Sequence, residues 1–406
     1  MTQLCNIVWE ERPRLAMTIS KMVGVRKISG AIIMKCNWNN PMVSIVLPMY
    51  NCENYLDELL CSLSQQSFTD FEAICVNDGS TDGTERKLKD FCKKDNRFSL
   101  ITKENGGAGS ARNAGLDVAR GKYVLFLDAD DLYSRDLLKE MVEAAEEHQG
   151  DIAICMFKLS DRLLGIEMEN RGLYGSLRTN EPEKVSVALP PGDIPNVFRC
   201  TNPSPQNKMF KTSFLKDIGL KYPSLTIAED LVFIYSAISL AERIVGVRKS
   251  LLEIRTGHND GSLTSNTQNH ITDAISALQL LYKWLKEHKI SEQYKDTFLS
   301  LGANTLKYEM NMCYSEEFLC KTFQVLTCEE PWTGITHKQL VQLMEPGSAS
   351  LENTLKKNRA EMHGTRKRSN ASPAGFEHKK PHGVYAISGK EIRTEPACHI
   401  RYSACV

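Results

Sequence analysis

The sequence predicts an α/β fold, a mostly parallel sheet flanked by helices, followed by a helical C-terminal region. Three observations point there. Short β-branched runs alternate with amphipathic stretches between Val43 and Phe157, most of those runs are near-continuously apolar, and the acidic and glycine-rich clusters stand directly after them. Continuously apolar strands belong to a sheet covered on both faces, and strand–helix alternation makes such a sheet parallel. Ligands of a sheet of this kind gather at the carboxyl ends of its strands.

The elements follow in order. Val43-Ser-Ile-Val-Leu47 is a strand closed by Pro48. Residues 53–66 place Tyr55, Leu56, Leu59, Leu60 and Leu63 on one helical face. Phe71–Val76 returns to strand, residues 81–94 read as a helix with Leu88, Phe91 and Cys92 inward, and Phe98–Ile101 is a third strand. A helix over 108–119, a buried strand over Tyr123–Leu127, a helix over 135–148 and a strand over 151–155 complete the regular part. Beyond it the pattern weakens: residues 190–205 form a proline-rich crossing, 226–240 look helical, and helical patterns cover 271–289 and 291–312, with weaker ones to about 344. No internal repeat is apparent.

Both ends look different. Residues 1–40 show no clean periodicity and read as an extension outside the fold, with Met34 standing just before the first sharp strand signal as a candidate start. Residues 345–406 are rich in Lys, Arg, His, Ser and Pro, the composition of a disordered tail. The basic stretch 356–368 reads as solvated, with anionic lipid headgroups as the alternative partner.

Composition narrows the function classes. At 406 residues the chain exceeds one average domain of roughly 100–200 residues. Lys+Arg and Asp+Glu are equal at 50 each, so no net charge draws the chain to nucleic acid. The 13 cysteines include no C-x-x-C pair, which argues against a zinc ribbon or a thioredoxin-type motif and for reduced core residues of a cytoplasmic protein. No apolar run approaches the roughly 18 residues of a membrane-spanning helix, and the first 40 residues lack the order of a signal peptide, so a soluble protein is expected, with peripheral membrane contact open.

Three clusters carry the chemistry. Asp128-Ala129-Asp130-Asp131 follows the apolar strand ending at Leu127, and so sets three carboxylates where a ligand binds. A hard cation such as Mg²⁺ or Mn²⁺ takes one or two carboxylates plus substrate phosphates, and D-x-D spaces two of them for one ion. A helix cap before residue 135 is the bland alternative, strongest for Asp131. Asn77-Asp-Gly-Ser-Thr-Asp82 follows the second strand; Asp78 suits a base or ribose contact, whereas Ser80, Thr81 and Asp82 also suit a turn and helix cap. Gly106-Gly-Ala-Gly-Ser-Ala-Arg112 opens a helix that carries a fixed cation, which can meet a diphosphate or pair with a carboxylate.

Together with Pro48-Met-Tyr50-Asn51, these motifs resemble the family 2 glycosyltransferases, which have the GT-A (nucleotide-diphospho-sugar transferase) fold. Four motifs in the right order over about 115 residues carry the resemblance, which continues weakly through Asn207-Lys-Met-Phe210 and Ala228-Glu229-Asp230-Leu231. The resemblance implies a nucleotide-sugar site of Pro48, Tyr50, Asn51, Glu53, Asp78, Arg112, Asp128 and Ala129, with Asp78 reading the base and Asp128 near the ribose. It implies a divalent cation (Mg²⁺ or Mn²⁺) on Asp130 with Asp128, and Asp230 as general base, with Glu229 as its rival. Arg255, His258 and Ser262 fall where related sequences close a loop over the donor.

The implied architecture is an extension at 1–40, a catalytic domain at 41–265 with a nucleotide-binding half (43–157) and an acceptor half (158–265), a helical region at 266–344 and a tail at 345–406. The implied activity is inverting transfer of a single sugar from a nucleotide-diphosphate donor, UDP by default, to a glycan or glycolipid hydroxyl in cell-surface polysaccharide assembly. Lack of a Q-x-x-R-W signature after Asp230 argues against a processive synthase. The rivals are a non-catalytic sugar or nucleotide binder and a sugar nucleotidyltransferase, whose phosphate loop should fill the first strand-to-helix turn; here that turn, Met49–Glu53, has no glycine.

Overall fold

The structure, a computed structural model, describes residues 26–28, 31–34, 40–161, 166–170, 186–194, 196–256 and 272–312. The expected sheet flanked by helices is what these residues form. Its first part is parallel, built from β3 (Val43–Met49), β4 (Phe71–Asp78), β5 (Phe98–Lys103) and β6 (Tyr123–Phe126) in spatial order β5-β4-β3-β6. Every residue of β3, β4 and β6 is buried, as continuous apolar runs demand. Helices α1 (Leu56–Ser64), α2 (Thr84–Cys92) and α3 (Ala108–Val118) make the connections.

Past β6 the sheet turns mixed. β11 (Lys208–Lys211) inserts antiparallel between β6 and β8 (Ile152–Asp161), and β12 (Ile244–Thr256) lies parallel to β8. β7 (Leu132–Tyr133), β9 (Ile166–Asn170) and β10 (Ser186–Leu189) add antiparallel pairings at that side. Helix α4 (Leu137–His148) packs on β8 and β12, and α5 (Val197–Cys200), α6 (Thr212–Asp217) and α7 (Glu229–Leu240) follow. Every residue of α7 but the last is buried, so it is a core helix with no solvent stripe. Helices α8 (Asp273–Glu287) and α9 (Lys295–Met312) begin the helical region. No helix among the described residues is long and apolar enough to cross a membrane.

The N-terminal segment departs from expectation. β1 (Arg26–Ile28) pairs with β2 (Ala31–Met34), and β2 joins the outer edge of β5, with Ile33 opposite Ile101. The reason is the open edge of β5, whose unpaired backbone groups accept another strand. The weaker helical patterns to 344 and the tail at 345–406, with its basic stretch, lie outside the described residues.

Candidate active site

Two loops at the carboxyl ends of β3 and β4 are sewn together by side chains. The Asn51 amide donates to Ser80 Oγ (3.0 Å) and Asn51 Oδ1 accepts from the Thr81 amide (2.8 Å). Glu53 accepts from the Gly83 amide (2.9 Å), while its own amide donates to Asp82 (3.1 Å). These bonds keep residues 53–55 and 81–83 out of the helices expected there, so α1 starts at Leu56 and α2 at Thr84. Asn51 and Glu53 therefore shape the loops. Pro48 sits in β3 opposite Val76, and Tyr50 follows half-buried at its end.

Asp78 ends β4 almost wholly buried and is ringed by donors: the amides of Gly106 (3.0 Å) and Gly107 (2.8 Å) and the Lys103 ammonium. The amides at the start of α3 thus face a carboxylate, a favourable charge–dipole placement. Gly107 has φ +85°, a backbone conformation that a side chain disfavours, and it supplies one of those amides.

One turn into α3, Arg112 is fully buried and bridges the two halves. Its guanidinium donates to Asp128 Oδ1 (3.0 Å) and to Glu229 Oε1 (2.9 Å), and lies over the ring of Tyr222 with 5.4 Å to the centroid. Burial works against its charge, yet Asp128, Tyr222 and Glu229 together hold it protonated above its ordinary value. α3 reaches this depth because Gly115 lies against β3: a Cβ there would meet Val46 Cγ1 at 2.3 Å.

The acidic cluster after β6 is unequally satisfied. Asp128 has both oxygens engaged, one by Arg112 and the other by Gln206 Nε2, and burial pushes its carboxyl up to about 6. Among the described residues, Asp130 keeps a buried Oδ1 with no partner and Asp131 a buried Oδ2 with none, its Oδ1 accepting from the Arg255 amide (3.1 Å). Burial, then the charges of Asp130 and Asp128, push Asp131 well above the usual carboxylate range. Asp131 caps no helix, since α4 begins six residues later at Leu137 with Asp136 before it. Ala129 is buried in the hydrophobic core.

Two unpaired hard oxygens amid repelling carboxylates suit a divalent cation, with substrate phosphates completing its shell. No group of three His, Cys, Asp or Glu side chains converges into a protein-only cation site among the described residues. Asp130 and Asp131 fit the cation better than Asp128, whose oxygens already have donors.

Glu229 and Asp230 open α7 and are both buried. The residue before them, Ala228, has φ +61°, a strained conformation for an alanine that sets their direction. Burial, partly offset by Arg112, raises the Glu229 carboxyl; burial and then the Glu229 charge raise Asp230 well above the usual range. Glu229 is committed to Arg112, whereas among the described residues Asp230 accepts only from the adjacent Leu231 amide (2.7 Å). A carboxylate with a raised pKa and few donors is a stronger base than an ordinary one.

Arg255, near the end of β12, ties the cluster to α1: it donates to the Asp130 carbonyl and to Glu58 Oε2 (2.8 Å). His258 and Ser262 lie outside the described residues. Sequence reading missed Gln206 and Tyr222, and left Asp131 between ligand and cap. The polar run Gln206-Asn-Lys208 between Pro205 and an apolar strand was the available signal for the first.

Residues 44–184 match the family described as Glycosyl transferase family 2. The chain is 34% identical over 227 residues to the uncharacterized glycosyltransferase EpsJ of Bacillus subtilis (strain 168), covering 55% of this chain and 63% of EpsJ. It is 28% identical over 261 residues to the poly(ribitol-phosphate) beta-N-acetylglucosaminyltransferase TarS of Staphylococcus aureus (strain Mu50), covering 63% of this chain and 43% of TarS. The chain thus spans less than two-thirds of the length of either relative. Among solved structures, residues 1–349 of S. aureus TarS in complex with UDP-GlcNAc align with a TM-score of 0.46 and 23% identity, over 65% of this chain and 80% of that one.

Proposed function

Through residues 44–184 the chain belongs to glycosyl transferase family 2, and from that premise we propose an inverting glycosyltransferase that moves one sugar from a nucleotide-diphosphate donor to a carbohydrate or glycolipid hydroxyl. The observation that carries the proposal is the pair of unpartnered buried oxygens on Asp130 and Asp131, joined through Asp128 and Arg112 to the carboxylates that open α7. In this reading the sewn loops at the ends of β3 and β4 bound the nucleotide pocket, with Tyr50 and Asp78 on the nucleoside. Asp130 and Asp131 would hold a Mg²⁺ or Mn²⁺ ion, which would supply positive charge against the donor diphosphate.

Asp230 removes the proton from the acceptor hydroxyl. That oxygen then bonds to the anomeric carbon from the face opposite the diphosphate, the carbon–oxygen bond to the diphosphate breaks, and its electron pair leaves with the nucleotide. Configuration inverts because attack and departure occur on opposite faces. The name of TarS, a poly(ribitol-phosphate) beta-N-acetylglucosaminyltransferase, supports a hydroxyl-bearing polymer as acceptor class, and UDP is the default nucleotide. The cytoplasm is the proposed compartment, where nucleotide sugars are available.

A thermal-shift screen of nucleotide-diphosphate sugars with Mn²⁺, run on the wild type and on Asp130→Asn, tests the reading. One nucleotide class should stabilise the wild type, and the variant should lose most of that gain. Hydrolysis of the stabilising donor should require Mn²⁺. A folded wild type that binds nucleotide but neither hydrolyses nor transfers any donor sugar would instead be a non-catalytic binder.

A further inference from the structure

Gln206 has no exposed surface, and its side-chain amide is used at one end only. Nε2 donates to Asp128 Oδ2, while the buried Oε1 has no partner among the described residues. A buried acceptor left without a hydrogen bond costs stability, and a fold that keeps one has something else to hold in place. What is held here is the donor end of the amide against Asp128, on the side away from Arg112.

The segment carrying Gln206 is itself fixed. Lys208, also fully buried, directs its ammonium to three oxygens, Asn202 Oδ1 (3.0 Å), the Ser204 carbonyl (2.7 Å) and Asn207 Oδ1 (2.8 Å). Asn207 Nδ2 donates in turn to the Cys155 carbonyl in β8 (2.8 Å), and Tyr235 of α7 donates to the Thr201 carbonyl (2.7 Å). Residues 201–208 are therefore wrapped around one ammonium and pinned at both ends, with Gln206 as the residue delivered to the acidic cluster.

We propose that Gln206 is a positioning residue for the nucleotide-sugar site, fixing the Asp128 carboxylate through its amide so that the neighbouring Asp130 and Asp131 meet the donor in one arrangement. The inference rests on the nucleotide-sugar reading of the site. Two donors, Arg112 and Gln206, clamp Asp128 from opposite halves of the sheet; removing the uncharged one frees the carboxylate to turn while leaving its counter-ion in place.

Gln206→Met keeps the length and removes both the bond to Asp128 and the unpartnered oxygen. Measured by calorimetry with UDP and Mn²⁺, or with whichever nucleoside diphosphate stabilises the wild type, its affinity should fall about ten- to a hundred-fold, the range expected for one hydrogen bond to a charged group. Its thermal midpoint should change little, because the unpartnered Oε1 is removed while Asp128 Oδ2 loses its donor. Gln206→Glu, of the same shape but placing a second carboxylate against Asp128, should lose at least as much affinity. A Gln206→Met protein with wild-type nucleotide affinity overturns the proposal, as does one whose only change is a lower midpoint, the signature of a packing role. A wild type that binds no nucleoside diphosphate sinks the functional reading instead, so the two failures are distinct.

Discussion

The two halves of the sheet hold their site residues differently. In the first half, Asp78 draws its donors from 25 to 29 positions away, and Asn51 and Glu53 find their partners at 29 to 34. In the second, Gln206 reaches Asp128 across 78 positions, Glu229 meets Arg112 across 117, and Arg255 meets Asp130 across 125. The first half is built from adjacent strand–helix units whose loops meet as neighbours. The second completes the site by returning distant segments to it, which makes it dependent on the whole fold being in place.

Substitutions in each half should therefore fail in different ways. The largest effect is expected from Asp230→Asn, which removes the proposed base but keeps its volume: kcat should fall by about 10²–10⁴-fold with nucleotide affinity nearly unchanged. Equal loss in both constants would move Asp230 to a binding role. Next is Arg112→Met, which strands the Asp128 and Glu229 carboxylates in the core; breaking a buried pair in this way costs about 3–5 kcal/mol, readable by urea denaturation. A loss below about 1 kcal/mol would show that the halves are not joined through this guanidinium.

A pH effect comes third. Folded Asp128 titrates at about 6 against an ordinary 3.8, and Asp131 is raised in the same direction. Raised carboxyls stabilise the fold fully below their unfolded pKa, and that contribution is lost as pH rises through the folded value. Without a cation, stability should accordingly decline between about pH 4 and 6 at Asp128. A cation competes with those protons, so the gain in thermal midpoint on adding Mn²⁺ should grow from pH 5 to 7; a gain independent of pH would place the ion elsewhere. The smallest expected effect is that of Gly115→Ala, about 1–3 kcal/mol from overpacking against Val46, measured by thermal melting.

How much the sequence disclosed follows the same division. Strands over Val43–Leu47, Phe71–Val76 and Tyr123–Leu127 were plain because each is a near-continuous apolar run, and the acidic cluster was plain because it follows such a run directly. Helix starts were placed too early at Glu53 and Thr81, since bonds between two loops, invisible to periodicity, hold those residues out of the helices. β12 escaped notice because Arg248-Lys249-Ser250 interrupts its apolar pattern where the register with β8 shifts between Val247 and Ser250. Gln206 and Tyr222 belong to no local pattern; their significance is a partner many positions away. Residues 31–34 were assigned outside the fold because an edge strand of four residues carries too little periodicity to be read.

Gly115 adds a point about mutational tolerance. Its missing side chain acts as a spacer that sets how closely α3 lies on β3, and so how far Arg112, three residues earlier, projects toward Asp128. A library randomised at this position should return glycine almost alone, although glycine has no side chain with which to touch a substrate. Intolerance to substitution and contact with ligand are thus separate quantities here, and a map of the first would draw the site larger than the surface that meets the donor.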